Sequence, residues 1–114
     1  GLLGHLTEVC DGSNLSAVIE FDKVPVLNFL DAYIQQKSMP GGTQRNWESY
    51  GHKISPISDE QRTILADPQT SGGLLIAIDA NAADEFERIA MENGLSLKPF
   101  GELTTKADTV VSVK

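Results

Sequence analysis

Basic residues are scarce in this 114-residue chain: nine lysines and arginines stand against sixteen aspartates and glutamates, and the net charge is −7. The few cations are scattered along the sequence, so no basic stripe is available for a phosphate backbone. We therefore expect no nucleic-acid partner. Any anion site must be local, built from main-chain amides or from a few recruited cations.

Cysteine and long apolar runs are also nearly absent. The single cysteine, Cys10, excludes an internal disulfide and fits a reducing compartment. No apolar run approaches the roughly 20 residues needed to span a bilayer, and the first residues lack the basic flank of a signal peptide. These absences predict a cytoplasmic protein without membrane contact. Because Gly1 opens a helical pattern already under way, we expect the chain to be cut from a longer protein.

Side chains for metal binding or nucleophilic catalysis are few and isolated. His5 and His52 lack a cysteine, histidine or carboxylate partner at ligand spacing. Cys10 falls on an apolar helix face, where cysteine behaves as a small hydrophobe, and no nearby base is evident. We predict no metal ligand and no catalytic residue in these 114 positions.

Hydrophobic periodicity divides the chain into short helices and strands. A capping box at Ser58 and Gln61 marks one helix start, and Asn81 is predicted to cap another. The run from 74 to 79 is short, continuous and apolar, which is typical of a strand covered on both faces. Helices are predicted at 1–10, from Pro25 to about 37, at 43–50, after Ser58 and after Asn81, and strands at 16–22, 74–79, 95–103 and 108–114.

This order of elements, without an internal repeat, predicts one domain of class α+β: a small mixed β-sheet layered with α-helices. Residues 37–57 break the periodicity but contain Trp47 and Tyr50. A simple linker would not need these aromatics, so we expect an ordered insertion there.

Two glycine pairs are the candidate binding elements. In "DPQTSGG", two hydroxyls precede two glycines, and such a turn can direct several N–H groups at one anion. It matches neither the phosphate-binding loop of nucleotide hydrolases nor the dinucleotide fingerprint. An ordinary turn, or close packing against a neighbour, is the more common reason for such a pair. The candidate phosphate-binding residues of this turn are Thr70, Ser71, Gly72 and Gly73.

The second pair lies in "MPGGTQRN", before a predicted helix. Free amides at a helix start together with an arginine form a plausible oxyanion site. The alternative is that Thr43 is an ordinary N-cap and Arg45 is solvated. The candidates of this segment are Gly41, Gly42, Thr43, Arg45 and Asn46.

Four stretches together, "GLLGHLTEV", "PGGTQRNWESYGH", "DPQTSGGLLIAI" and the closing "GEL", resemble the C-terminal domain of the selenophosphate synthetases, also called selenide, water dikinases. The resemblance covers essentially the whole chain, in the right order. It places the chain in the aminoimidazole ribonucleotide synthetase superfamily and implies the α+β layer fold of that superfamily's C-terminal domain, here over residues 1–114.

The resemblance also implies an activity for the full-length protein. The family is a phosphotransferase that makes selenophosphate, AMP and phosphate from ATP, selenide and water, requires Mg²⁺ and works as a homodimer. An N-terminal domain, absent from these residues, carries the reactive cysteine or selenocysteine, a lysine and the metal-binding aspartates. We therefore expect this domain to close over the N-terminal one, to contact phosphoryl groups, and to bind no cofactor tightly and be inactive alone.

Two other interpretations stay open. The chain could be the C-terminal domain of another enzyme of the same ATP-using superfamily, although the P-G-G-T-x-R-N segment argues against it. It could also be a noncatalytic small-molecule-binding or interaction module with ferredoxin-like topology. The sequence upstream of Gly1 would discriminate between them.

Overall fold

The structure is a computed structural model that describes residues 1–27, 41–68 and 73–114. The described residues form a three-stranded mixed sheet and four α-helices, which confirms the predicted α+β class. Three short 3₁₀ turns join them, at Phe21–Lys23, Gly51–Lys53 and Ala80–Ala82. The helices are α1 (Leu2–Ser13), α2 (Gly41–Tyr50), α3 (Asp59–Leu65) and α4 (Ala83–Glu92), and the strands are β1 (Leu15–Ile19), β2 (Gly101–Thr105) and β3 (Val111–Val113).

Strand β1 is the centre of the sheet. It pairs antiparallel with β2, where Ala17 lies opposite Leu103, and parallel with β3, where Ala17 lies opposite Val111. The outer side of β3 is covered by residues 53–55, since the Ser55 amide donates to the Val111 carbonyl at 2.9 Å. The outer side of β2 has no strand partner among the described residues.

Helix α1 supplies three of the eight buried residues that form the core of the described chain. Leu3, Leu6 and Cys10 recur at helical spacing and are buried against Ala17 and Ile19 of β1, together with Val111 of β3. Burying one leucine side chain of this kind stabilises the fold by about 1.5–3 kcal/mol. Cys10 has no exposed surface, and burial, with the nearby Asp11 charge, raises the pKa of its thiol. The prediction that Cys10 is a small core hydrophobe is confirmed.

Several element ends follow the predicted local chemistry. The Ser58 hydroxyl accepts from the Gln61 amide at 3.1 Å, and the Gln61 side chain accepts from the Ser58 amide at 2.9 Å, so the capping box is present. Helix α1 runs to Ser13, beyond the predicted end, and stops where Asn14 adopts a left-handed conformation at φ 57°. Gly94, with φ 78°, follows α4 as predicted.

Other local predictions were wrong. Asn81 is not the cap of α4: it lies inside a 3₁₀ turn, where its amide donates to the Asp79 carboxylate at 2.8 Å. Residues 73–79 form no strand, and Leu74 is 89% exposed. The predicted helix from Pro25 is absent over residues 25–27, and its remainder lies outside the described residues. Strand β2 begins at Gly101 rather than at residue 95.

Candidate functional site

The start of α2 is pressed against residues 66–68, which open the "DPQTSGG" turn. A Cβ on Gly42 would lie 2.9 Å from the Pro68 Cγ atom, so only glycine permits this approach. One turn further, the Asn46 amide nitrogen donates to the Ala66 carbonyl at 2.9 Å. The start of α2 and residues 66–68, separated by about twenty residues in the sequence, are therefore neighbours in space.

The start of α1 reaches the same place. A Cβ on Gly1 would lie 2.6 Å from the Asp67 carbonyl oxygen, and one on Gly4 would lie 3.0 Å from the Tyr50 ring. Parts of three of the four stretches behind the family resemblance thus meet at one point, which we call the motif junction. It comprises Gly1 with the first turn of α1, helix α2 and residues 66–68.

Thr43 is the unusual residue of the motif junction. Its side chain is 3% exposed, and its hydroxyl has no hydrogen-bond partner among the described residues. The N-cap alternative is wrong, because α2 begins at Gly41 and Thr43 is already the third helical residue. A buried hydroxyl without a partner costs about 1–3 kcal/mol. Thr43 shares a helix face with Asn46, so the hydroxyl lies on the side of α2 that meets residues 66–68.

The remaining sequence candidates divide into two groups. Arg45 is exposed, and its guanidinium has no ion-pair partner in the described part of the chain. Gly73 is exposed with φ 107°, a conformation that favours glycine and that main-chain anion nests use. The other three candidates of the turn, Thr70, Ser71 and Gly72, lie outside the described residues.

Tyr50 is a member of the motif junction that sequence reasoning did not name as a site residue. Its hydroxyl is buried without a partner of hydrogen-bond geometry among the described residues. Burial raises the pKa of the phenol, and the nearby Gly4 amide partly opposes the rise. Its ring meets Trp47 edge to face at 6.5 Å, and the Arg62 guanidinium lies 5.7 Å from the Trp47 ring. The two aromatics in an otherwise aperiodic segment were the only signal.

A shallow groove runs along the exposed flank of α1. It is lined by His5, Glu8 and Val9 of the helix and by residues 73–75, and His5 Nδ1 lies 3.6 Å from a Glu8 carboxylate oxygen. His52 lies apart, in the 3₁₀ turn after α2. Within residues 1–27, 41–68 and 73–114, no group of three or more histidine, cysteine or acidic side chains could hold a metal ion.

The chemistry available at the motif junction is hydrogen-bond donation. Helix amides, a hydroxyl and a guanidinium suit charged oxygen atoms, such as those of a phosphoryl group. The buried acceptors nearby are main-chain carbonyls, which cannot take a proton at neutral pH. The arrangement therefore fits binding and charge neutralisation rather than proton transfer.

No helix of the described chain combines the length and apolar character that a bilayer crossing requires. The whole chain, residues 1–114, matches the family model described as "AIR synthase related protein, C-terminal domain". Curated relatives include three proteins named "Selenide, water dikinase". The one from Colwellia psychrerythraea is 49% identical over 98% of this chain, that from Haemophilus influenzae 52% over 100%, and that from Sulfurimonas denitrificans 53% over 99%.

In each case the chain spans 33% of the relative's length. The resemblance to the selenophosphate synthetases, predicted from four short stretches, is confirmed by identity along the whole chain. This chain belongs to the family of AIR synthase related proteins, as their C-terminal domain.

Proposed function

We propose that residues 1–114 are the C-terminal domain of a selenide, water dikinase. The full-length protein would be a phosphotransferase that converts ATP, selenide and water into selenophosphate, AMP and phosphate. Support comes from relatives of that name at about half identity over nearly the whole chain. The partner of the domain is the N-terminal region that fills the other two thirds of those relatives, in a cytoplasmic homodimer.

The role of the domain is to close the active-site cleft and to contact phosphoryl groups at the motif junction. Phosphoryl transfer depends mainly on positioning and on neutralising charge, so a domain that supplies no general acid or general base can still contribute. The observation that carries the proposal is the buried hydroxyl of Thr43, which has no hydrogen-bond partner within residues 1–27, 41–68 and 73–114. A phosphoryl oxygen would supply its missing partner, with the amides of α2 and the Arg45 guanidinium beside it.

Magnesium does not fit the described residues, which offer no cluster of ligands. The family resemblance assigns the metal to aspartates of the N-terminal region. The domain would therefore bind phosphoryl oxygens through the α2 amides, Thr43 and Arg45. It would not bind the metal itself.

The test is a Thr43→Val substitution in the full-length protein. Valine keeps the shape and removes the hydroxyl, so we expect kcat/KM for ATP to fall about tenfold or more, the loss of one hydrogen bond to a charged group. Thermal stability should be unchanged or higher, because no internal hydrogen bond is lost. Thr43→Ser should restore most of the activity. Selenophosphate formation followed by phosphorus NMR gives the rate.

Thr7→Val is the matched control. The Thr7 hydroxyl is also buried, but it donates to the Leu3 carbonyl at 2.7 Å within α1. Its removal should leave kcat/KM unchanged. If Thr43→Val were as active as the unchanged protein, the phosphoryl contact would be refuted, while the family assignment would stand.

A further inference from the structure

Asn46 is the candidate of the second glycine-rich segment whose side chain makes a contact inside the domain. Its amide nitrogen donates to the main-chain carbonyl of Ala66 at 2.9 Å, across 20 positions of the sequence. The group that the sequence offers for binding an anion is therefore engaged in holding two segments of the domain together. What Asn46 does at the motif junction depends on what this contact keeps in place.

The Ala66 carbonyl needs this donor. Ala66 follows the last residue of α3 as its C-cap, and the carbonyls at the end of a helix lack the amides of a further turn. Ala66 is also fully buried, so water cannot replace those amides. A buried carbonyl without a partner is costly, and the Asn46 side chain supplies one. Asn46 thereby fixes the end of α3 to the middle of α2.

Gly42 makes a second contact between the same two segments. The space that a Cβ on Gly42 would need is occupied by Pro68, whose Cγ atom would lie 2.9 Å away. Gly42 and Asn46 are four residues apart, which is about 6 Å along the axis of α2. Because Gly42 meets Pro68 and Asn46 meets Ala66, α2 and residues 66–68 run in opposite directions and are joined at two points.

Thr43 lies between these two points. It follows Gly42 directly, and it precedes Asn46 by three residues, a spacing that places both side chains on one helix face. Its hydroxyl is buried and has no partner in the described part of the chain. A helix held at one point can still turn about it. Contacts on both sides of Thr43 fix the rotation of α2, and with it the direction of this hydroxyl.

We infer that Asn46 is a positioning residue which, together with Gly42, directs the Thr43 hydroxyl at the phosphoryl group. The inference rests on the proposed function, in which that hydroxyl binds a phosphoryl oxygen. Asn46 acts through Thr43 and has no contact with the substrate in this role. Without the Asn46 amide, α2 can turn, so Thr43 keeps its hydroxyl but loses the direction of its hydrogen bond. Misplacement of a substrate contact by about 1 Å can lower the rate by up to about a hundredfold.

The test is a double-mutant cycle of Asn46→Leu and Thr43→Val in the full-length protein. Leucine is close to asparagine in size and shape but cannot donate. We expect Asn46→Leu alone to lower kcat/KM for ATP about fivefold or more. In the Thr43→Val background, the same change should lower kcat/KM by less than about twofold, because the hydroxyl that Asn46 directs is already absent. Selenophosphate formation followed by phosphorus NMR gives the rates.

The division of the loss between kcat and KM gives a second reading. Whichever constant changes in Thr43→Val should also change in Asn46→Leu, because both substitutions remove the same contact with the substrate. Gly42→Ala disturbs the other contact, since its Cβ would displace α2 from Pro68. It provides an independent cycle with Thr43→Val if Asn46→Leu gives little folded protein, and we expect the same lack of additivity.

Ser16→Ala is the matched control. The Ser16 hydroxyl also joins distant segments, since it accepts from the Ala107 amide at 2.8 Å. It lies in β1, outside the motif junction. Ser16→Ala should lower the thermal unfolding temperature of the protein, as Asn46→Leu does, but leave kcat/KM unchanged.

The outcomes separate this inference from the proposed function. An effect of Asn46→Leu that is equally large with and without the Thr43 hydroxyl would overturn the inference alone. So would full activity of Asn46→Leu, or an equal loss of activity in Ser16→Ala. If Thr43→Val itself left kcat/KM unchanged, the proposed phosphoryl contact would fail, and the inference would fail with it.

Discussion

Two buried hydroxyl groups on α2, those of Thr43 and Tyr50, have no hydrogen-bond partner among the described residues. They lie seven positions apart, on one face of the helix, and both point toward the motif junction. Buried polar groups in folded proteins are nearly always paired. At the scale of single residues, this face of α2 is therefore less stable than it could be, as is typical of a binding site.

Tyr50 makes the free energy of unfolding of the chain depend on pH in the alkaline range. Burial raises the pKa of its phenol above the ordinary 10.0. Well below pH 10.0, the phenol is neutral in both the folded and the unfolded chain, so it does not make the free energy of unfolding depend on pH. As the pH rises above that value, the unfolded chain ionises first, so the free energy of unfolding falls until the pKa of the folded state is passed.

Urea unfolding of the unchanged chain and of Tyr50→Phe, compared from about pH 8 to about pH 11, measures this effect. The phenylalanine variant should be as stable at neutral pH, or more stable by up to about 1 kcal/mol, because a hydroxyl without a partner is removed. The difference between the two proteins should widen in favour of the variant as the pH rises. A constant difference would contradict a buried, unpaired phenol.

At the scale of elements, the motif junction depends on how closely α1 and α2 approach. Gly4 lies on the flank of α1 that faces α2, where its Cα is covered by the Tyr50 ring. Gly12 lies in the last turn of the same helix with open space around it. Both residues lower the intrinsic stability of α1, but only Gly4 has a packing reason to be glycine.

Gly12→Ala should therefore stabilise the chain by up to about 1 kcal/mol through helix propensity and a less flexible unfolded state. Gly4→Ala carries the same gain, but its Cβ would lie 3.0 Å from the Tyr50 ring, so the ring must move. We expect Gly4→Ala to be less stable than Gly12→Ala by at least about 1 kcal/mol. Thermal unfolding of the two variants decides this, and equal stabilisation by both would show that α1 and α2 are not tightly packed.

At the scale of the whole molecule, the chain is acidic, and the phosphoryl contact that we propose is confined to the motif junction. A net charge of −7 opposes the approach of free nucleotides, so a phosphoryl group must arrive already held elsewhere. Under the proposed function, the N-terminal region holds it, and this domain closes on it. Within the described residues, no group of three or more histidine, cysteine or acidic side chains could hold the metal ion that the transfer requires.

The 114-residue chain should accordingly hydrolyse no ATP in the presence of Mg²⁺. Adding the separately produced N-terminal region should restore selenophosphate formation if the two parts associate, and phosphorus NMR reports both reactions. Denatured chain is the control for contaminating ATPases. Magnesium-dependent turnover by these residues alone would contradict the assignment of the catalytic groups to the N-terminal region.

Predictions from local chemistry succeeded where neighbours in sequence are also the interacting atoms. The Ser58 and Gln61 capping box, the apolar stripe of α1 and the glycine after α4 are all of this kind. The prediction that Asn81 caps α4 was wrong. The main-chain amide of Asn81 donates to the Asp79 carboxylate, and the helix starts later, at Ala83. The apolar run at 74–79 has the composition of a strand, but a strand forms only when another strand pairs with it.

The fold class, the family and the residue types of the candidate site could all be predicted from the sequence, because periodicity, capping and motif spacing are properties of short segments. The packing of distant segments was needed to see that the starts of α1 and α2 adjoin residues 66–68, and that the hydroxyls of Thr43 and Tyr50 have no partner in the described part of the chain. The physical reason is that burial and proximity arise from packing between segments distant along the chain. No local pattern encodes which of a segment's donors will be left without an acceptor.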